Sequence, residues 1–523
     1  MIANKRQTAV SLLKATLLVA LTGSFAQAGE FLVKYKNNQA LNQMASMQTE
    51  SFGLQVTDMH RPGQYVKVNV PKAKEAKALA ALYADKNIDY IVPNFTIRAY
   101  SAPVDTAALK EQYSLAKINA PQAWAKAGNK GNKNVLLAVI DTGVDYKHAN
   151  LAPNMVAGYD FRDNDADPMD ITSSQNPGHG THCAGIVGAT GLVDGGIQGM
   201  SPEVSIMPLR FLGADGSGDL NNAVKAIDYA IEKKVAVISA SWGATVPLST
   251  AKLLVEAMDR ADKAGIIFVT AAANDGKNND KTDVYPANAG LPNMMTVAAS
   301  NSSDAKPSWS NYGKAKVAIA APGDAIVSTL PGNKLGNLSG TSMATPLVAG
   351  LVAFLKAQDP TLTGAEIRSL MQTTGAKVNI ETACNCRIDA LSAVDTLIAK
   401  KAWMVPAAAT VAAQATVQFQ MKNSAGSVKF ESSNPSIATI DANGLMTAVS
   451  QGTVQIKATD ASGETAQTLD INVGSGSSST PPSDPSNPSD PTQPPSDGSC
   501  PLGDANLCQI MCQISPTLPW CNQ

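Results

Sequence analysis

The residues best equipped for chemistry stand at Asn337-Leu338-Ser339-Gly340-Thr341-Ser342-Met343-Ala344-Thr345-Pro346, where small and hydroxyl side chains lead into an apolar run, Met343 to Lys356. Read as a helix buried on nearly every side, that run puts Ser342 at its N-terminus. The first backbone N–H groups of a helix have no partner within it and the dipole is positive there, so an oxyanion forming beside Ser342 would be stabilised. A serine nucleophile further needs a base, an acid to orient the base, and a second oxyanion donor. Upstream, Gly178-His179-Gly180-Thr181-His182-Cys183 supplies imidazoles, Asp141-Thr142-Gly143 a carboxylate, and Ala273-Asn274-Asp275-Gly276 a side-chain amide.

Each of these groups follows an element able to fix it. Val135 to Ile140 is a continuous apolar run of strand length that delivers Asp141 at its end, where a parallel sheet places ligand chemistry. Gly265 to Thr270 is another, running out toward Asn274. From about Pro103 to Lys400 such strands alternate with helical stretches, Asn221 to Glu232, Ala251 to Lys263 and Gly364 to Gln372. The alternation predicts an α/β fold, a mostly parallel sheet with helices on both faces.

The order Asp, His, Asn, Ser, with Ser241-Trp242-Gly243 and Gly340-Thr341-Ser342-Met343-Ala344-Thr345-Pro346, resembles the subtilisin-like serine peptidases, or subtilases, over roughly residues 105 to 400. The resemblance implies a serine endopeptidase with Ser342 as nucleophile, His179 as general base and then acid, and Asp141 as the ionised partner that fixes the imidazole. Asn274 and the Ser342 N–H would hold the oxyanion. Gly216-Ser217-Gly218 and Ser241-Trp242-Gly243 would pair with an extended polypeptide substrate, main chain to main chain. Trp242, Gly243, Ala273 and Asp275 would border the primary pocket. Val284 would make that pocket shallow, with large aromatics disfavoured and basic residues modestly favoured. The competing function is a catalytically idle scaffold used for binding or adhesion, and an esterase of the α/β-hydrolase type is disfavoured by its opposite residue order.

In Tyr159 to Asp170 the carboxylates Asp160, Asp163, Asp165 and Asp167 would repel one another unless neutralised. The loop resembles a calcium site of thermostable subtilases, so calcium is the expected structural cofactor. Asn150 stands where another family calcium site often has aspartate, which argues against that second site.

Before the catalytic region, Lys5, Arg6, an apolar stretch from Ala15 to Leu21 and Ala26-Gln27-Ala28 read as a secretory leader removed after Ala28, giving a secreted product. Residues 29–102 read as strand, helix, strand, helix, strand. They resemble the family's inhibitor-type propeptide, a small α+β unit whose last strand would lie in the cleft until self-cleavage near residues 95 to 105. The catalytic unit is set at 103–402. Residues 404–474 alternate apolar and polar around Asn443-Gly444 and resemble a group-two bacterial immunoglobulin-like β-sandwich. A Pro/Ser-rich linker, 475–499, and a Cys-rich tail, 500–523, complete the chain. Attachment to a surface or polymer and a passive spacer are both open roles for this half.

Lys plus Arg total 41 against 43 acidic residues, and aromatics are 5%, so neither charge nor stacking surface points to nucleic acid. No stretch after the leader approaches about twenty apolar residues, and no membrane span is expected. Cys500, Cys508, Cys512 and Cys521 suit two disulfides of undetermined pairing, with a metal knuckle as the alternative. For Cys384 and Cys386, one residue apart, free thiols and a strained, labile bridge are both open.

Overall fold

A computed structural model describes residues 29–44, 53–100 and 112–474. The leader, the expected junction segment after Tyr100, the linker and the four-cysteine tail lie outside the described residues.

The N-terminal unit is a four-stranded antiparallel sheet in the order Gln55–His60, Tyr65–Val70, Gly29–Tyr35, Ile88–Pro93. The helices Asn38–Met44 and Glu75–Tyr83 accompany it, and Phe31, Val33, Val66, Val68, Leu79 and Ile91 form its core. Sequence periodicity missed the strand Gln55–His60. It lies at the sheet edge with no fully buried position, so it carries no apolar alternation to read.

The central unit is built on a nine-stranded sheet. Its middle runs Met294–Ser300, Ile267–Ala271, Val237–Ala240, Leu136–Asp141, Ser205–Arg210, all parallel. Alternate residues serve opposite faces, as the pleat requires. Leu137, Val139, Val237, Ile267 and Val269 pack with the helices His179–Gly188 and Thr341–Gln358, while Ala138, Ile140, Ile238 and Phe268 pack with Leu220–Glu232 and Leu248–Lys263. The predicted two-sided α/β arrangement is thus present, and both catalytic-motif helices lie on one face.

The N-terminal sheet packs on the other face, against the pair Leu220–Glu232 and Leu248–Lys263. Leu32, Tyr65, Val92 and Ile97 join the apolar cluster there. Around it, His60 Nε2 lies 2.7 Å from Asp228 Oδ2, Lys225 Nζ 2.8 Å from Asp58 and Lys34 Nζ 3.4 Å from Glu256.

The C-terminal unit is a β-sandwich around Met404, Phe419, Met421, Met446, Val454, Ile456 and Ile471. Gly444, at φ 81°, makes the turn between Ala438–Ile440 and Leu445–Ala448. The sandwich begins inside the catalytic core: Trp403 is 1% exposed and belongs to the cluster under the Ser342 helix. Among the described residues no helix is long and apolar enough to cross a membrane.

Candidate active site

The strand Leu136–Asp141 ends with Asp141 facing the first turn of His179–Gly188. Gly180 permits this approach, because a Cβ there would sit 2.1 Å from the Gly143 carbonyl oxygen. His179 Nδ1 and Asp141 Oδ1 are 2.6 Å apart, and the Thr142 N–H donates to the same oxygen. Burial opposes a charge on His179, while Asp141 and, after it, Cys183 favour one, and together they shift the imidazole pKa upward. His182, by contrast, is an interior histidine. Its Nε2 lies 3.1 Å from the Gly336 carbonyl oxygen, and burial pushes its pKa down to about 3.

Ser342 is fully buried in the first turn of Thr341–Gln358. Pro346, four residues on, has no N–H to give the Ser342 carbonyl. That carbonyl instead accepts from Ser241 Oγ at 2.9 Å and Cys183 Sγ at 3.4 Å. The Ser342 hydroxyl donates to the Ser241 carbonyl at 3.0 Å, and His179 Nε2 has no hydrogen-bond partner. Cys183, on the same helix as His179, also lies 4.0 Å from His179 Nδ1, so its thiol reaches from the histidine element to the serine main chain. In this arrangement Ser342 must turn from Ser241 to meet the histidine, an adjustment common where no reacting substrate is bound.

Asn274 follows Ala273, a buried residue held at φ 91°, a conformation costly for any residue but glycine. Thr341 N–H and Oγ1 both donate to Asn274 Oδ1, at 3.0 and 2.8 Å, which turns the amide nitrogen toward the cleft. There Nδ2 donates to the Tyr100 carbonyl oxygen at 2.9 Å.

The segment Thr96–Ala99 fills the cleft as a strand between Ser217–Asp219 and Trp242–Thr245. Arg98 pairs with Ser217 and Gly243, Ile97 with Gly218, and Ala99 with Trp242. The Ala99 N–H reaches the Gly216 carbonyl at 3.0 Å and the Tyr100 N–H the Ser241 carbonyl at 3.2 Å. All six residues expected to hold an extended chain therefore line this one.

Two pocket expectations need correction. The Trp242 side chain does not border the pocket: it is fully buried against Phe211 and donates Nε1–H to the Ile140 carbonyl at 2.7 Å. Nor does Val284 close the pocket to aromatics, because the Tyr100 ring packs against the cluster of Ala273, Val284 and Ala287. The small walls leave room for it, and a Cβ on Gly243 would come within 2.5 Å of the Tyr100 hydroxyl. Burial, and after it the charge of Asp275, raises the pKa of the Tyr100 phenol.

The acidic loop differs from expectation in how it is neutralised. Arg210 reaches it from the strand Ser205–Arg210, pairing with Asp160 and, at 2.6 Å, with Asp163. Asp160 also accepts the N–H groups of Arg162 and Asp163, Asp165 accepts from the Asp167 N–H, and Asp167 from the Tyr146 hydroxyl. Among the described residues no three of these carboxylates bring oxygens within 4.8 Å of one another. The four carboxylates expected to gather round calcium therefore do not converge on one point: Arg210 neutralises Asp160 and Asp163, while Asp165 and Asp167 have hydrogen-bond donors.

Cys384 and Cys386 are joined as a disulfide, and Cys183 is the free, buried cysteine among the described residues. Asn150 is used up in hydrogen bonds: Oδ1 accepts from Thr190 Oγ1 and the Gly191 N–H, and Nδ2 donates to the Ile197 carbonyl. Asp170, Asn176 and Thr142, which tie the Asp141 and His179 elements together, were not singled out from sequence. Asp170 ends the acidic stretch and looks there like one more surface carboxylate, yet it is 4% exposed.

Residues 132–395 match the Subtilase family, and residues 397–471 match the group 2 bacterial Ig-like domain. The chain is similar to the "Thermophilic serine proteinase" of Bacillus sp. (strain AK1), 37% identical over 68% of this chain and 84% of that one. It is 39% identical to thermitase of Thermoactinomyces vulgaris over 53% of this chain and 92% of thermitase. To subtilisin E of Bacillus subtilis (strain 168) it is 34% identical, covering 60% and 76% respectively.

Proposed function

This chain belongs to the subtilase family and is a serine endopeptidase; from that premise we propose that it is exported as a precursor and cuts itself after Tyr100. Asp141, His179 and Ser342 perform both the maturation and the later hydrolysis of extended protein substrates. The observation that carries this reading is the 2.9 Å contact from Asn274 Nδ2 to the Tyr100 carbonyl, with the preceding residues held as a strand in the cleft. A carbonyl at that amide is the one a nucleophile would attack. Ser342 adds to it, His179 takes the hydroxyl proton and returns it to the leaving amine, and Asn274 with the Ser342 N–H stabilises the negative oxygen. Asp141 keeps the imidazole in the tautomer that can accept.

Once cut, residues 29–100 remain as an inhibitor, held by the cleft strand and by the docking surface around His60 and Asp228. The Tyr100 pocket gives the mature enzyme a preference for Tyr and Phe before the scissile bond. The C-terminal sandwich and tail serve attachment to a surface or polymer.

Ser342→Ala should abolish peptide hydrolysis and leave an uncut precursor, whereas wild-type protein should give a mass break after Tyr100 and label at Ser342 with a phosphonate. Equal removal of residues 29–100 from the purified mutant would assign maturation to another protease. Failure of the wild type to label would leave an idle scaffold.

A further inference from the structure

Beneath the Asp141 and His179 pair lies a carboxylate that touches neither. Asp170 accepts four hydrogen bonds: Oδ1 from Thr142 Oγ1 and Asn176 Nδ2, both at 2.9 Å, and Oδ2 from the Thr181 N–H at 2.9 Å and Thr181 Oγ1 at 2.7 Å. Asp170, Thr142, Asn176 and Thr181 are all buried.

Each donor is the first member of a relay. Asn176, its amide nitrogen held by Asp170 and the Ile171 carbonyl, presents Oδ1 to the N–H groups of Gly178 and His179 at 3.0 and 2.9 Å. Thr142, its hydroxyl proton given to Asp170, accepts the Gly180 N–H at 2.9 Å, and its own N–H donates to Asp141 Oδ1 at 2.7 Å. Thr181 Oγ1 accepts from the Asp145 N–H at 2.9 Å. The helix carrying His179 has no side-chain cap from its own N-cap residue, Gly178, so Asn176 does that task from two residues earlier.

Resting on the catalytic reading above, we propose that Asp170 is a positioning residue for the reaction: its anion sets the polarity of the relays that hold the His179 main chain against Asp141. A carboxylate can only accept, so Asn176 must direct its N–H2 inward and its oxygen at the helix. An amide at position 170 would face Asn176 Nδ2 or the Thr181 N–H with a donor. Turning Asn176 to escape that clash would aim its N–H2 at two further N–H groups, uncapping the helix at His179. Burial pushes the Asp170 carboxyl up to about 6 against the pull of its donors, so near neutral pH it is the ionised acceptor the relays need.

The test uses mature enzyme of the full chain. In Asp170→Asn, kcat per phosphonate-labelled Ser342 should fall about ten- to a hundredfold with KM little changed, as for a displaced catalytic group. The low-field proton signal between His179 and Asp141 should move. Asp170→Asn combined with Asn176→Asp restores an acceptor opposite a donor at that contact while setting a carboxylate oxygen against the Ile171 carbonyl, and should recover part of the lost kcat and move the signal back toward that of the wild type. Unchanged kcat per labelled site in folded Asp170→Asn, or an unmoved low-field signal, overturns the proposal. Should Asp170→Asn fail to fold, Asn176→Ala cuts the relay to His179 alone, and unchanged kcat there overturns it equally. If wild-type Ser342 does not label, the catalytic reading fails, and the low-field signal decides the positioning claim separately.

Discussion

The catalytic unit is gripped at both ends of the chain, by two surfaces of different make. The N-terminal sheet rests on two helices through an apolar patch ringed by ion pairs, with Asp228 shared between His60 and the guanidinium of Arg260 at 2.9 and 2.7 Å. The C-terminal sandwich instead sends Trp403 into the catalytic core, with Val405 and Leu469 packed behind it. Its polar contacts are mostly single hydrogen bonds to main chain, the Ala407 N–H to Ser369 at 3.2 Å, the Ala402 N–H to Glu464 at 2.7 Å and Asn423 to the Lys401 carbonyl at 3.1 Å, with the ion pair of Lys422 and Glu366 at 2.7 Å beside them. A surface of patch and charged rim resembles interfaces between separate molecules, whereas a shared core resembles a single domain. The first suits a partner that leaves, the second one that stays.

Substitutions can break this contrast. The largest effect is expected from Trp403→Ala, whose cavity should cost the mature enzyme about 3–5 kcal/mol of unfolding free energy. Denaturant titration measures it; a cost no greater than that of a surface change would make the sandwich a mere appendage. Next, Asp228→Asn leaves the inhibitor's His60 without its anion and should weaken the hold on the cleaved inhibitor by about 2–5 kcal/mol, chiefly through faster dissociation. The lag between self-cleavage and the appearance of activity should shorten accordingly, while the thermal midpoint of the mature enzyme moves less than in Trp403→Ala.

A smaller effect concerns the cleft. Tyr100→Gly removes the ring from the pocket and forfeits about 1.5–3 kcal/mol of burial, so self-cleavage should slow about ten- to a hundredfold. Timed gels of the precursor follow it, and cleavage at the wild-type rate would mean that the pocket does not read this residue.

The smallest is a pH effect on the docked inhibitor. Burial works against the Asp58 and Asp228 anions, but Lys225 and Asn221 beside the first, and His60 and Arg260 beside the second, hold both pKa values below the ordinary 3.8. A carboxyl whose pKa is lower when docked binds fewer protons in the complex, so its contribution is complete above the ordinary value and lost as pH falls below it. Arg260 stays with Asp228 after release, so only the His60 share of that shift counts. Retention of the cleaved inhibitor on size exclusion should therefore decline below about pH 4. Steady retention down to pH 3, with the enzyme still folded, would remove charge from the account of docking.

What was legible in the sequence follows from how local each feature is. Asp141, His179 and Ser342 each sit in a run of glycines and small residues whose spacing is needed for close approach, as the Gly180 contact with Gly143 illustrates. Buried strands such as Leu136–Asp141 are legible because both faces are covered and the run is wholly apolar. The misread features depend on partners far along the chain. Arg210 neutralises Asp160 and Asp163 from another strand, so the loop alone suggests an unmet charge. The width of the pocket is set jointly by Gly243, Ala273, Val284 and Ala287, so Val284 alone misleads. Trp242 lies in a motif expected to bind substrate, but its main chain pairs with Ala99 in the cleft while its ring belongs to the core.

Pro346 interrupts the ladder of its helix at the nucleophile, and the Ser342 carbonyl is held instead by Ser241 and Cys183, each from a different element. A helix formed early, before the sheet is assembled, would leave that serine peptide without its anchors. Hydrolytic competence thus reports completed tertiary structure, and a nascent or half-folded chain carries the whole catalytic sequence without yet being able to digest its neighbours.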